Sequence, residues 1–172
     1  AAVIGITSGD FSEGASTITQ QLIKNNVITD WVTQTALSQK LRRKFQEQYL
    51  ALELEKIMTK DEILEAYLNT INLGQNTLGI QAAANRYFNK DVSELTISEA
   101  AVIAGITKSP TKYNPVTDPE ENAKRRELVL SAMKKNGHIS DAEYEEAMED
   151  NVYDRIQTTN ETKSTASVYS YY

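Results

Sequence analysis

Three Ser/Thr-x-x-Glu spacings fix where helices begin in this chain. Thr59 with Glu62, Thr96 with Glu99 and Ser140 with Glu143 each set a hydroxyl residue three positions before a glutamate. In that spacing the hydroxyl accepts from a backbone N–H of the first turn, and the carboxylate reaches back to the cap N–H. Asp118-Pro119-Glu120-Glu121 gives a fourth start, with an N-cap, a proline at the first helical position and acids in the first turn. Gly137, after Lys134 and Lys135, marks a stop. Between these points apolar residues recur at spacings of three and four. Leu37, Leu41, Phe45, Tyr49 and Leu52 form one stripe, and Ile63, Ala66, Tyr67 and Ile71 another. Ile97, Ala101, Ala104 and Gly105 predict a helix packed closely on a neighbour. Only the terminal Val168–Tyr172 reads as a strand. The pattern predicts an all-α fold with helices near 1–7, 17–26, 35–58, 60–72, 77–87, 97–106, 119–135 and 141–150. Loops are expected at 8–16, 27–34 and 107–118.

The chain has 172 residues, enough for a domain with a hydrophobic core. Its net charge of -6 argues against nonspecific nucleic-acid binding. With no cysteine, disulfides and thiolate metal sites are excluded. The one histidine, His138, follows Gly137 in a helix-ending turn and is read as solvent-facing. No apolar run is long enough to cross a bilayer as a helix. Ala1–Ile6 is read as the end of a helix that begins upstream.

Four stretches can carry chemistry. In Glu13–Asn25 a glycine-containing loop enters a helix, where free N–H groups attract an anion and Ser16 or Thr17 adds a hydroxyl. Gln21 and Lys24 share a face of that helix. Lys40, Lys44 and Glu47 project from one side of the next, and Arg43 pairs with Glu47 at i, i+4. A cationic row with one carboxylate can hold a pyrophosphate, the acid orienting the cations or a metal. The plainer readings are a capped surface helix and a solvated face of weak ion pairs. Asn69 and Asn72, with Glu65 one turn before Asn69, offer amides to sugar hydroxyls or to a helix end. Ser109–Pro115 (SPTKYNP) is a rigid loop, either a connector or a cleft wall. Arg125-Arg126 then reads as a structural pair anchoring acids elsewhere.

In this order the segments resemble glycosyltransferase family 51, the glycan-polymerising domain of class A penicillin-binding proteins and monofunctional transglycosylases. EGASTITQQLIKN is similar to the family's G-G-S-T-I-T-Q-Q-L-x-K-N block. RRKFQE is similar to its R-K-x-x-E block, with Glu47 at the glutamate, and KDEILEAYLNTINLG to its I-L-E-x-Y-L-N block. GIQAAANRYFNK, LTISEAAVIAGI, SPTKYNP and RRELVL follow in the family's order, over roughly residues 1–150. The family's E-D-x-x-F-x-x-H-x-G block, which holds the glutamate that deprotonates the acceptor, is not in this chain. Ala15 stands for a usual glycine, and Gln75-Asn76 for a Gly-containing pair.

The resemblance implies a lysozyme-like helical glycosyltransferase domain over 1–156, incomplete at its N-terminus. Residues 157–172 then form a Thr/Ser-rich linker toward a transpeptidase domain. The implied reaction polymerises lipid II into glycan and releases undecaprenyl pyrophosphate, with this chain supplying the donor half and inactive alone. By resemblance, Glu47 is the catalytic carboxylate of this half. Ser16, Thr17, Gln21, Lys24, Lys40, Arg43, Lys44 and Asn69 bind substrate. No cofactor is fixed, and a divalent cation, Mg or Mn, is compatible. Expected partners are lipid II, the growing glycan, moenomycin-type inhibitors and, through a longer parent, the membrane surface at its extracytoplasmic face; nucleic acid is not expected. A glycan hydrolase and a non-catalytic helical binding module are the competing readings.

Overall fold

The computed structural model describes residues 16–28 and 37–158. Among the described residues the fold is all-α, with seven helices, two short 3-10 turns and an isolated antiparallel bridge between Asn72 and Leu78. The chain divides into two compact units, Ala1–Ile71 and Asn72–Tyr172.

The first unit holds α1 (Ile18–Asn26), α2 (Leu37–Ile57) and α3 (Lys60–Thr70). Thr17 and Thr59 close capping boxes with Gln20 and Glu62, which satisfies the first N–H groups of α1 and α3. α1 packs on both α2 and α3. Leu22, Ile23, Ala51, Ile63, Tyr67 and Ile71 form the buried apolar set, so the α3 stripe faces inward as its spacing predicts. Two polar ties fix the register: Thr19 donates to Glu55 at 2.6 Å, and Asn26 donates to Thr70 at 3.3 Å.

The apolar stripe of α2 lies elsewhere. Leu37, Leu41, Phe45, Tyr49 and Leu52 are all exposed, Phe45 at 69%. The buried positions of α2 are Glu47 and Ala51, one turn apart. The helix therefore turns its charged side toward α1 and its apolar side outward. Periodicity marks a face but does not say which neighbour, if any, covers it.

Two helix ends differ from expectation. α3 stops at Thr70 rather than 72, because Ile71 is extended and Asn72 enters the bridge. The next helix starts at Ile80 rather than 77, because Leu78 pairs with Asn72 and Gly79 (φ 85°) sets the chain direction. The expected helix 1–7, most of the 8–16 and 27–34 loops, Val168–Tyr172 and all but the first two residues of the 157–172 linker lie outside the described residues.

The second unit holds α4 (Ile80–Phe88), a 3-10 turn (Val92–Glu94), α5 (Ile97–Ile106), α6 (Pro119–Lys135), α7 (Asp141–Glu149) and a 3-10 turn (Val152–Arg155). α5 buries Ala101, Val102, Ile103, Gly105 and Ile106 together with the polar Ser98 and Glu99, and α6 packs along it. A Cβ on Gly105 would lie 3.3 Å from Arg125 Cγ, so the small residue permits the close approach. Asp118 starts α6 without a side-chain capping bond; its carboxylate accepts from the Thr117 hydroxyl instead. At the other end the Met133 carbonyl accepts from His138 N at 2.9 Å, with Gly137 left-handed (φ 74°) and His138 exposed as expected.

Arg126 corrects the reading that its pair anchors acids. It is buried, donates to Ser98 Oγ at 3.1 Å, and donates to the carbonyls of Ala147, Met148 and Asp150. A guanidinium at these orphan carbonyls is favoured by the helix dipole of α7. The acid at the centre of this unit is Glu99, fully buried. It accepts from Lys90 at 2.9 Å on both oxygens and from Arg155 at 3.1 Å. Burial raises its carboxyl pKa, and the bonds from Lys90, Thr96 N–H and Arg155 outweigh burial and hold it below the usual value. Gln157 N donates to the Tyr87 carbonyl, which ties the end of the unit to α4.

Candidate functional site

In the first unit α1 and α2 bring a carboxylate and three cations together. Glu47 is 1% exposed on α2. Its Oε2 lies 2.5 Å from Lys44 Nζ, and its Oε1 lies 3.1 Å from Arg43 Nε. The Arg43 contact is an ion pair in which Oε1 accepts no aligned hydrogen bond. Lys44 also donates to Ser16 Oγ at 3.2 Å, which links the α2 cations to the start of α1.

Lys24, on the last turn of α1, senses the same group. Partial burial lowers its pKa below the ordinary 10.5, Glu47 raises it, and Lys44 and Arg43 lower it again. Among the described residues Arg43 and Lys44 thus pair with one carboxylate, and Lys24 feels its charge. The carboxylate fixes Arg43 and Lys44 in place, as cations that could meet an anion must be held.

Gln21 is held beside this cluster from both sides. Its Nε2 donates to the Ser16 carbonyl at 3.4 Å, and its Oε1 accepts from Tyr67 OH at 3.4 Å. Burial pushes the Tyr67 phenol up, so it stays a neutral donor. Tyr67 is the positioning residue that the sequence reading assigned only to the α3 core stripe. A hydroxyl on an otherwise apolar stripe was the available signal.

The other predicted residues fall apart from the cluster. Thr17 accepts from Gln20 N, so its side chain is engaged in the cap. Lys40 is exposed one turn before Lys44, and no ion pair joins it to Glu47 among the described residues. Asn69 is exposed on the last turn of α3, and no hydrogen bond ties it to the cluster among the described residues. A larger hollow of about 690 Å³ opens by Val27, Ile28, Gln39, Arg42, Gln46 and Tyr49, and none of the clustered residues lines it.

Both oxygens of Glu47 face cations, and among the described residues no three His, Asp or Glu side chains converge. The donor set suits an anion.

The first unit is thus an all-α unit in which α1 and α2 gather cations around a buried glutamate. The family follows from the sequence as a whole: a model described as Transglycosylase matches residues 1–134, and this chain belongs to that family. Penicillin-binding protein 1A/1B of Bacillus subtilis (strain 168) is 42% identical over 172 residues, covering 99% of this chain and 18% of that protein. Penicillin-binding protein 1A of Escherichia coli (strain K12) is 44% identical over 146 residues, covering 85% of this chain and 16% of that protein. A 2.6 Å crystal structure of penicillin-binding protein 1A from Haemophilus influenzae aligns at a TM-score of 0.53 and 44% identity, over 55% of this chain and 14% of that one. The chain thus spans less than a fifth of the length of these relatives.

Proposed function

We propose that this chain is the donor-binding part of a peptidoglycan glycosyltransferase, which polymerises lipid II into glycan strands and releases undecaprenyl pyrophosphate. The observation that carries the reading is the Glu47 cluster, with Lys44 and Arg43 within 2.5 and 3.1 Å of a buried carboxylate. Transfer to an anomeric carbon needs negative charge on the departing pyrophosphate to be stabilised. Lys44, Arg43 and Lys24 supply it, and Ser16 and Gln21 add polar groups at the start of α1. Glu47 sets the geometry of the cations rather than taking a proton. No residue is assigned as the base that deprotonates the acceptor hydroxyl.

A glycan hydrolase requires two carboxylates flanking one bond. The cluster offers one, already paired with two cations, and this favours transfer from a diphosphate over hydrolysis. Moenomycin-type inhibitors are expected to compete for the same cations. The reading places the reaction at the extracytoplasmic membrane face, where a lipid-linked donor resides; no described helix is long and apolar enough to cross a membrane.

The test compares a short-chain lipid II analogue with the same disaccharide lacking the diphosphate. Binding of the first at least tenfold tighter, consistent with charge-assisted bonds of about 1.5–3 kcal/mol, is the expected result. Equal binding of the two overturns the reading.

A further inference from the structure

α1 carries Gln21 and Lys24 of the proposed diphosphate site, yet little apolar surface holds it in place. Its buried residues are Thr19, Leu22 and Ile23, so only two of them are aliphatic. Burial of those two favours docking but does not select one rotation of the helix, because the hydrophobic effect has no direction. Directional bonds have to select it.

Two such bonds lie along one line of α1. Thr19 and Asn26 are about two turns apart and so share a side. The Thr19 hydroxyl donates to Glu55 of α2 at 2.6 Å, a short bond to a carboxylate. Asn26 donates to Thr70 of α3 at only 3.3 Å, and its shorter bond, 2.9 Å, goes to the Leu22 carbonyl within α1. Thr19 is 6% exposed, so bulk water does not replace its partner, whereas Asn26 is exposed. The Thr19–Glu55 bond is therefore the main directional tie between α1 and its neighbours.

Gln21 and Lys24 project about 200° and about 140° around the axis from Thr19. They face away from the tie, and their placement depends on the rotation it sets. Turning α1 by about 20° would carry a side-chain tip, at a radius of about 5 Å, through about 2 Å. The bond from Tyr67 OH to Gln21, already 3.4 Å, would open. Lys24 would leave the Arg43, Lys44 and Glu47 charges that act on it.

We infer that Glu55 is a positioning residue of the diphosphate site: through the Thr19 hydroxyl it holds the rotation of α1 that presents Gln21 and Lys24 to the Glu47 cluster. Glu55 is on α2, two turns beyond Glu47, so one helix carries both the anchor of the α2 cations and the anchor of α1. This deepens the proposed function and rests on it for the ligand, while the positioning itself is testable without one.

The experiment uses the 172-residue chain and two readouts: titration of the Lys24 ammonium by side-chain NMR without ligand, and affinity for inorganic pyrophosphate. Thr19→Val removes the donor without changing charge, and Glu55→Ala removes the acceptor. Thr19→Ser and Glu55→Gln each keep the bond. In Thr19→Val the Lys24 midpoint should rise toward the ordinary 10.5, as the ammonium leaves its partly buried place. Pyrophosphate affinity should fall about tenfold in Thr19→Val and Glu55→Ala, and stay within about threefold of the parent chain in Thr19→Ser and Glu55→Gln. Ser140→Ala, which loosens the second unit, should move neither readout, so a general loss of stability is told apart from a turned helix. An unmoved Lys24 midpoint in Thr19→Val, or equal affinity loss in the conservative variants, overturns the positioning role. If the parent chain binds no pyrophosphate at about 10 mM, the donor reading fails by itself, and the Lys24 titration still decides the role of Glu55 and Thr19.

Discussion

Glu47 and Lys24 set the chemistry at the residue scale. The side chain of Glu47 is 1% exposed, whereas Lys44 is 45% and Arg43 14% exposed. Removing the buried partner leaves two cations facing a neutral group, and removing the half-exposed one leaves Glu47 still paired with Arg43. Glu47→Gln should therefore lower unfolding free energy by about 2 kcal/mol and Lys44→Met by less than about 1 kcal/mol, measured by urea denaturation. The reverse order would show that Glu47 is not the anchor. Lys24 makes a pH prediction. Its ammonium is depressed by burial, so it loses its proton below the ordinary 10.5. Diphosphate binding that uses this charge should weaken as pH rises through that lowered value, and Lys24→Arg, charged throughout, should flatten the decline. An identical pH profile for both proteins removes Lys24 from the site. Arg43, Lys44 and Glu47 were legible in the sequence because i, i+3 and i+4 spacing on a helix dictates contact. The approach of Ser16 and Tyr67 was not, since it depends on how α1 packs against α2 and α3.

Helix beginnings were the most legible elements. The boxes at Thr59, Thr96 and Ser140 all form as their spacing requires, because the cap is local chemistry closed within four residues. Their loss is correspondingly predictable: Ser140→Ala should cost about 1 kcal/mol, read from thermal unfolding. A change below the error of the measurement would mean that packing, not the cap, sets the start of α7. Helix ends near Asn72 were misread because the Asn72–Leu78 bridge and Gly79 are set by loop geometry, which periodicity does not encode. The α2 stripe shows the same limit. With Phe45 and Leu52 exposed at 69% and 62%, Phe45→Ser and Leu52→Ser should each change stability by no more than about 0.5 kcal/mol. Losses of about 3 kcal/mol, the size expected for a core position, would show that this face is covered in solution.

At the scale of the whole molecule, each of the two units carries its own polar centre. In the second unit it is Glu99, which binds Lys90 and Arg155 and completes the Thr96 capping box. Its folded carboxyl lies below the unfolded value, so its stabilisation is complete above the ordinary carboxylate range. It is lost as pH falls through the lowered folded value. Asp150, held down first by its bonds from Arg155, acts in the same direction. Glu99→Gln should cost about 3 kcal/mol at neutral pH and less in acid, seen as faster amide exchange in α5 and α6. An equal cost at both pH values would contradict the ionic account. The all-α class and the order of the helices were written in the caps. The division at Ile71 was not, because it depends on contacts between residues far apart in sequence.

The most direct test of the central claim is binding of a short-chain lipid II analogue to this chain and to its Lys44→Ala and Glu47→Ala variants. Affinity reduced about tenfold or more in both variants, with helical content unchanged, is the predicted result. Equal affinity in the three proteins would contradict the assignment of the donor pyrophosphate to the Glu47 cluster.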